Sequence, residues 1–88
     1  MKEAVFIVEN KLGLHARPAA LFVQTTHKFK CNVSVVRDGQ EVDGKSIMGI
    51  LTLAAEKGAK LTIAADGPDE DALLEQLTQL FKNKFDEE

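Results

Sequence analysis

One histidine in this sequence, His15, stands beside residues that suit phosphoryl chemistry. Arg17 and Pro18 follow it closely in the chain. Because proline lacks a backbone donor and is tolerated in the first turn of a helix, Pro18 predicts that a helix begins beside His15. The first turn of a helix leaves backbone N–H groups unpaired, here near Ala16 and Arg17, and such groups attract anions. The sequence therefore predicts an anion site next to the imidazole.

The side chains at this helix start favour covalent transfer of a phosphoryl group. The positive end of the helix dipole disfavours a charged imidazolium, so more of His15 stays neutral and nucleophilic. The guanidinium of Arg17 matches the geometry of phosphate oxygens. We therefore expect a phosphohistidine intermediate on a ring that nothing shields from visiting proteins. The alternative is that His15 is an ordinary helix cap or surface residue.

Length and composition limit the class of protein. A chain of 88 residues with 44% hydrophobic content predicts one domain over residues 1–88, too small to enclose a deep dry pocket. A net charge of −3 and the absence of Trp and Tyr argue against nucleic-acid binding. The single cysteine, Cys31, allows no intramolecular disulfide.

The same features predict where and in what form the chain works. No apolar stretch reaches membrane-spanning length, and residues 1–3 lack the basic and apolar regions of a signal peptide. His15 and His27, without cysteines or convergent carboxylates, make a poor metal ligand set. We therefore expect a cytoplasmic monomer that needs no metal or cofactor and does not insert into membranes.

Hydrophobic periodicity predicts an α+β fold. We expect strands over residues 4–8, 33–37, 40–43 and 60–66, and helices over 16–28, over 47–55 and after Gly67-Pro68. Asp38-Gly39 supplies a two-residue hairpin turn, and Ser46 is a favourable helix cap. This order predicts an antiparallel sheet covered on one face by helices, with residues 86–88 frayed at the end. The buried helix faces are predicted at Ala19, Phe22, Val23 and Thr26, and at Leu73, Leu77, Leu80 and Phe81.

The second predicted helix is apolar almost all round, with Ile47, Met48, Ile50, Leu51 and Leu53. In a two-layer fold each helix keeps one side in solvent, so part of this surface is expected to dock partner proteins. Met48 and Leu51 would be its adaptable apolar contacts. The alternative is a fully buried core helix. A basic rim that steers acidic partners is predicted from Arg17, His27, Lys28 and Lys45.

Two segments resemble the signatures of a known family. Asn10–Ala19, NKLGLHARPA, resembles the active-site motif of the histidine-containing phosphocarrier (HPr) family of the bacterial phosphotransferase system, and Lys45–Gly49, KSIMG, resembles its regulatory motif. The resemblance extends over essentially the whole chain. It implies an open-faced β-sandwich with a four-stranded antiparallel sheet and three helices.

The resemblance also implies a function and its partners. Enzyme I, using phosphoenolpyruvate, would phosphorylate Nδ1 of His15, with help from Arg17 and the backbone N–H of Ala16. The group would then pass to the IIA domains of sugar permeases. A serine kinase/phosphorylase would modify Ser46, and the added negative charge would hinder docking without unfolding the helix. Partner contacts are expected at Leu14, Ala20, Lys45, Ile47, Met48 and Leu51.

Other interpretations compete with the sugar-transport carrier. Gly39–Ser46 fits the nucleotide-binding pattern GxxxxGK[ST], but Glu41 and Asp43 would put negative charge into a phosphate loop, and the chain is too short for the parallel sheet that such loops need. A nitrogen-regulatory carrier of the same family shares the histidine motif, and its ending resembles residues 80–88, whereas the KSIMG segment favours the sugar-transport type. A more distant alternative is an adaptor whose His15 is never phosphorylated. We expect a carrier and not an enzyme, because partner proteins load and regenerate His15.

Overall fold

The structure is a computed structural model that describes residues 1–87. Four strands form one antiparallel sheet, and three helices cover one of its faces. The strands are β1 (Lys2–Ile7), β2 (Asn32–Arg37), β3 (Gln40–Asp43) and β4 (Lys60–Asp66). The helices are α1 (Ala16–Thr26), α2 (Ile47–Thr52) and α3 (Glu70–Lys82), followed by a 3-10 turn at Lys84–Asp86. This architecture confirms the predicted α+β open-faced sandwich.

The sheet has the strand order β1-β4-β2-β3, so the central strands β4 and β2 are paired on both sides. Alternate residues of β4, Leu61, Ile63 and Ala65, are buried under the helices. Their neighbours along the strand face the other side, where Val5 of β1 is 58% exposed. One face of the sheet is thus left uncovered. No helix within residues 1–87 is long and apolar enough to cross a membrane.

The helices bury the faces that periodicity predicts. In α1 the buried residues include Ala19, Phe22, Val23 and Thr26, and in α3 they are Leu73, Leu77 and Phe81. The predicted Leu80 is only half-buried. The ring of Phe81 joins the layers, since its centroid lies 4.8 Å from that of Phe6 in β1 and 6.3 Å from that of Phe22 in α1. The core that supports α1 is therefore built from distant parts of the chain.

Two helices end earlier than predicted. Helix α1 stops at Thr26. The N–H of the C-cap residue His27 still bonds to Val23 O, four residues back, but those of Lys28 and Phe29 bond to carbonyls only three residues back. Helix α2 stops at Thr52 instead of Ala55, and Ala54 adopts a left-handed conformation with φ of 48°. The predicted β1 also began too late, since pairing with β4 starts at Lys2.

The segment Gly39–Ser46 does not form a phosphate-binding loop. Asp38 and Gly39 have φ values of 50° and 84°, as a two-residue hairpin turn between β2 and β3 requires. The residues that follow form β3, and Ser46 caps α2. The match to the nucleotide-binding pattern is therefore spread over a turn, a strand and a helix cap.

Asp86 and Glu87 have defined structure and contacts, although residues 86–88 were predicted to fray. Phe85 is completely buried, and its ring centroid lies 4.9 Å from that of Phe81. Asp86 belongs to the 3-10 turn, and the side chain of Glu87 contacts His15. The expectation of fraying is wrong for these residues, because a buried aromatic side chain anchors them. Glu88, the last residue of the predicted frayed segment, lies outside the described residues.

Candidate functional site

His15 occupies the N-cap position of α1. Its backbone is extended, with φ of −79° and ψ of −168°, and its carbonyl accepts a hydrogen bond from Ala19 N at 2.9 Å. The side chain makes no capping hydrogen bond and is 38% exposed. The backbone of His15 thus starts the helix, while its imidazole takes no part in capping and is partly exposed.

The loop before α1 holds His15 in place. The buried side chain of Asn10 donates to Gly13 O at 2.6 Å, and the N–H of Leu14 donates to Ala55 O at 2.8 Å. Gly13 has φ of 71°, and a Cβ there would collide with the carbonyl of Ala55, so only glycine fits. Leu14 itself is 3% exposed. Its predicted role in partner contact is wrong, because its side chain is part of the core.

The groups predicted to receive an anion are available at this helix start. Ala16 and Arg17 are both exposed. Within residues 1–87 their backbone N–H groups have no hydrogen-bond acceptor, as expected for a first helical turn. The guanidinium of Arg17 forms no ion pair or hydrogen bond with any described residue. Among residues 1–87, no acceptor therefore competes with an incoming anion for these donors.

Sequence reasoning missed a carboxylate that touches the imidazole. Oε2 of Glu87 lies 2.9 Å from Nε2 of His15, across 72 residues of chain. No sequence motif predicts the contact between Glu87 and His15, because it depends on how the chain folds back after α3. The expectation of a fully unshielded ring is therefore wrong on the Nε2 side. The Nδ1 atom of His15 makes no hydrogen bond to any of residues 1–87.

Ser46 starts α2 in the way the sequence predicts. Its Oγ accepts a hydrogen bond from Gly49 N at 3.0 Å, and the residue is half-buried. This bond satisfies one of the free N–H groups of the first turn. Ser46 is therefore a true helix cap, in contrast to His15.

A groove of about 620 Å³ runs between α1 and α2. Ser46 and Lys45 lie on its wall. Its other lining residues are Ala20, Val23, Gln24, His27, Ile47 and Met48. Ile47 and Met48 are 42% and 69% exposed, whereas Ile50 and Leu53 are buried. Helix α2 is thus only partly buried, which excludes the fully buried alternative.

The structure places the predicted partner contacts differently from one another. Ala20, Lys45, Ile47 and Met48 share the groove. Leu51 is half-buried and packs against the core, so it offers less surface than predicted.

The end of α1 is tied to the segment before α2. Thr26 Oγ1 donates to Gly44 O at 2.8 Å, and Lys45 Nζ donates to Phe29 O at 2.8 Å. Nε2 of His27 lies 2.9 Å from Lys45 O. These bonds fix the two walls of the groove relative to each other. In the described part of the chain, no three His, Cys, Asp or Glu side chains cluster so as to hold a metal ion.

Comparison with known proteins gives consistent matches over nearly the whole chain. The family model described as the PTS HPr component phosphorylation site matches residues 2–83. A phosphocarrier protein HPr from Xylella fastidiosa is 47% identical over 88 residues, covering 100% of this chain and 99% of the relative.

Solved structures agree with this match. The crystal structure of HPr-C-His from Thermoanaerobacter tengcongensis has a TM-score of 0.96 at 46% identity and covers 100% of this chain and 99% of that one. A crystal structure of an HPr dimer from the same organism has a TM-score of 0.77 at 46% identity, with 97% and 98% covered.

Proposed function

The chain belongs to the HPr family of phosphocarrier proteins of the bacterial phosphotransferase system, and we propose that it accepts a phosphoryl group on His15 and passes it to a partner protein. One observation carries this proposal. His15 occupies a helix N-cap, yet its side chain takes no part in capping and stays at the surface. The adaptor interpretation, in which His15 serves as an ordinary cap, gives no reason for this arrangement.

The proposed transfer uses the free groups of the first turn of α1. The imidazole of His15 attacks the phosphorus of a phosphorylated partner, and a phosphohistidine forms. The N–H groups of Ala16 and Arg17 and the guanidinium of Arg17 stabilise the negative charge on the phosphoryl oxygens. No pocket for a small metabolite is needed, because both donor and acceptor are proteins. The chain is then a carrier and not an enzyme.

We assign the partners from the family to which the chain belongs. Enzyme I, with phosphoenolpyruvate as the source, loads His15, and the IIA domains of sugar permeases unload it in the cytoplasm. The groove between α1 and α2 supports this assignment, since it offers exposed Ile47 and Met48 close to the chain segment that carries Ser46. The single domain over residues 1–88 acts as a monomer in this proposal. The relatives named HPr and the KSIMG segment favour the sugar-transport branch over the nitrogen-regulatory one.

Ser46 is the proposed regulatory site. A phosphate on Ser46 would remain at the start of α2, where the helix dipole favours negative charge, so the helix would persist. Because Ser46 lines the groove, phosphorylation would add a charge of about −1.5 to −2 to the proposed docking surface. The expected result is weaker docking of partners with acidic surfaces.

Intact-mass spectrometry after incubation with Enzyme I and phosphoenolpyruvate tests the proposed function. The wild-type chain should gain one phosphate, and His15→Ala should gain none. His27→Ala is the matched control, since it removes the other histidine and should still gain one phosphate. A phosphate on His15→Ala, or none on the wild type, would contradict the assignment of His15.

A further inference from the structure

The chain reverses direction sharply between α3 and Glu87. Lys84, Phe85 and Asp86 all lie in the left-handed region, with φ values of 52°, 56° and 59°. Three consecutive residues with side chains rarely adopt this conformation, because their Cβ atoms crowd the backbone. Complete burial of Phe85 against Phe81 offsets this strain. The turn is therefore an anchored feature, and it directs Glu87 towards the start of α1.

Both carboxylate oxygens of Glu87 are used at the site. Oε2 lies 2.9 Å from Nε2 of His15, and Oε1 accepts a hydrogen bond from Nδ2 of Asn10 at 3.1 Å. The side chain of Glu87 is only 18% exposed. Asn10 is itself fully buried and bonded to Gly13 O, so the carboxylate is held by the same loop that positions His15.

The contact with Glu87 determines which ring nitrogen can react. An ionised carboxylate only accepts hydrogen bonds, so Nε2 of His15 must carry the proton. The lone pair of the neutral ring is then on Nδ1, which has no hydrogen-bond partner among residues 1–87. We propose that Glu87 is a positioning residue that holds His15 in the Nε2–H form, so that Nδ1 is the phosphoryl acceptor, and that it balances the charge of the phosphorylated ring. This inference rests on the proposed function.

The transfer step balances without any proton movement. The Nδ1 lone pair forms a bond to phosphorus while the bond between phosphorus and the donor breaks, and that electron pair leaves with the donor. The ring keeps its Nε2 proton and becomes positively charged, directly beside the Glu87 carboxylate. In onward transfer the Nδ1–P electron pair returns to the ring, which is again neutral with a proton on Nε2.

Glu87→Gln and Glu87→Ala separate positioning from simple anchoring of the tail. A glutamine amide of the same shape can accept or donate a hydrogen bond, so it no longer imposes one tautomer. Alanine removes the contact altogether. Asp86→Asn is the matched control, because it removes one negative charge from an exposed neighbouring residue.

The first measurement is ¹⁵N NMR of the histidine rings of the full, unphosphorylated chain at a pH where the imidazoles are neutral. We expect the ratio of Nε2–H to Nδ1–H forms of His15 to fall about two- to fivefold in both Glu87 variants, the effect of a partly exposed charge contact. Asp86→Asn should leave the ratio unchanged. His27, whose Nε2 faces the Lys45 carbonyl, is an internal control in the same spectra.

The second measurement is the rate of phosphoryl acceptance from phospho-Enzyme I. The Glu87 variants should lower kcat about two- to fivefold with little change in KM, because docking residues are untouched. An unchanged His15 tautomer ratio in both variants would overturn the proposal, as would a rise in KM alone. If the ratio shifts but no form of the protein is phosphorylated, the proposed function fails while the positioning by Glu87 stands.

Discussion

The N-termini of α1 and α2 differ in whether the side chain of the N-cap residue pairs with a free backbone N–H group. Each leaves free N–H groups that a side chain at the N-cap could satisfy. At α2 the hydroxyl of Ser46 accepts the bond from Gly49 N. At α1 the side chain of His15 makes no such bond and contacts Glu87 instead. One start is stabilised by its own cap, and the other leaves its first-turn donors without a partner among residues 1–87.

Because of this difference, we expect the stability of the fold to depend more on the start of α2 and phosphoryl transfer more on the start of α1. Removing the Ser46 hydroxyl should weaken the fold, whereas removing the imidazole of His15 breaks no capping bond. Residues beside the uncapped start should therefore matter most for transfer, and residues beside the capped start most for stability and regulation.

The largest effect is expected at Arg17, beside the uncapped start. Arg17→Ala should lower kcat/KM for phosphoryl transfer about 10- to 100-fold, because a charge-assisted hydrogen bond to phosphate is lost. Arg17→Lys should have a kcat/KM between those of wild type and Arg17→Ala, because lysine keeps the positive charge but lacks the planar, two-pronged donor geometry of the guanidinium. Rapid-quench kinetics with phospho-Enzyme I as the donor would measure kcat/KM for each variant. Lys11→Ala removes an exposed positive charge from the preceding loop and should stay within about twofold of wild type.

A smaller effect is expected in the groove. Met48 is 69% exposed on α2, and Val5 is 58% exposed on the uncovered face of the sheet. Met48→Ala should raise KM for a IIA domain about five- to tenfold through lost apolar contact, with kcat little changed. Val5→Ala, a loss of apolar surface on the other side, should change neither constant. Equal effects of the two substitutions would show that the groove is not the docking surface.

Charge at the capped start should have a more modest effect. Ser46→Asp keeps a good capping side chain but adds a negative charge to the groove wall. We expect transfer to slow about two- to fivefold through KM, with unchanged urea unfolding. Equal transfer rates for Ser46→Asp and wild type would remove the proposed regulation. Ser46→Ala should instead lower the free energy of unfolding by about 1 kcal/mol and leave transfer intact.

The smallest effect concerns the start of α3, where Asp69 bonds outside its own helix. The N–H groups of Lys30 and Cys31 donate to its carboxylate at 2.8 and 3.0 Å and hold its pKa below the ordinary value of 3.8. Because the pKa of Asp69 is lower in the folded chain, its ionised carboxylate stabilises the fold at pH values above 3.8. This stabilisation is lost as the pH falls through the lowered pKa of the folded state. Asp69→Asn should therefore unfold at lower urea concentration than wild type at pH 7. The difference in urea midpoint between the two proteins should narrow in strong acid, where the Asp69 carboxylate is protonated. A difference independent of pH would contradict the stabilising role of the ionised carboxylate.

The geometry at the start of α1 could be predicted because its parts lie within a few residues of one another. The position of Pro18 fixes where the helix begins, and this places His15 and Arg17, the residues proposed to act on phosphate, at its first turn. The sheet was equally predictable, since alternating residues such as Leu61 and Ile63 identify a strand with one buried face. Local rules were sufficient in both cases.

Features that depend on distant parts of the chain were not predictable. Glu87 reaches His15 only through a left-handed turn of residues that do not favour it, and the buried side chain of Phe85 holds that turn. Leu14 was predicted to contact partner proteins, but its side chain lies in the core and its backbone N–H donates to Ala55 O. Propensity and spacing contain no information about either contact.

The most direct test of the phosphocarrier assignment is a chase of label from His15. The chain is loaded with ³²P by Enzyme I, purified and mixed with an unlabelled IIA domain. The account predicts that acid-labile, base-stable label leaves His15 and appears on the IIA domain in equal amount. Label that stays on His15 until it hydrolyses would contradict a carrier function.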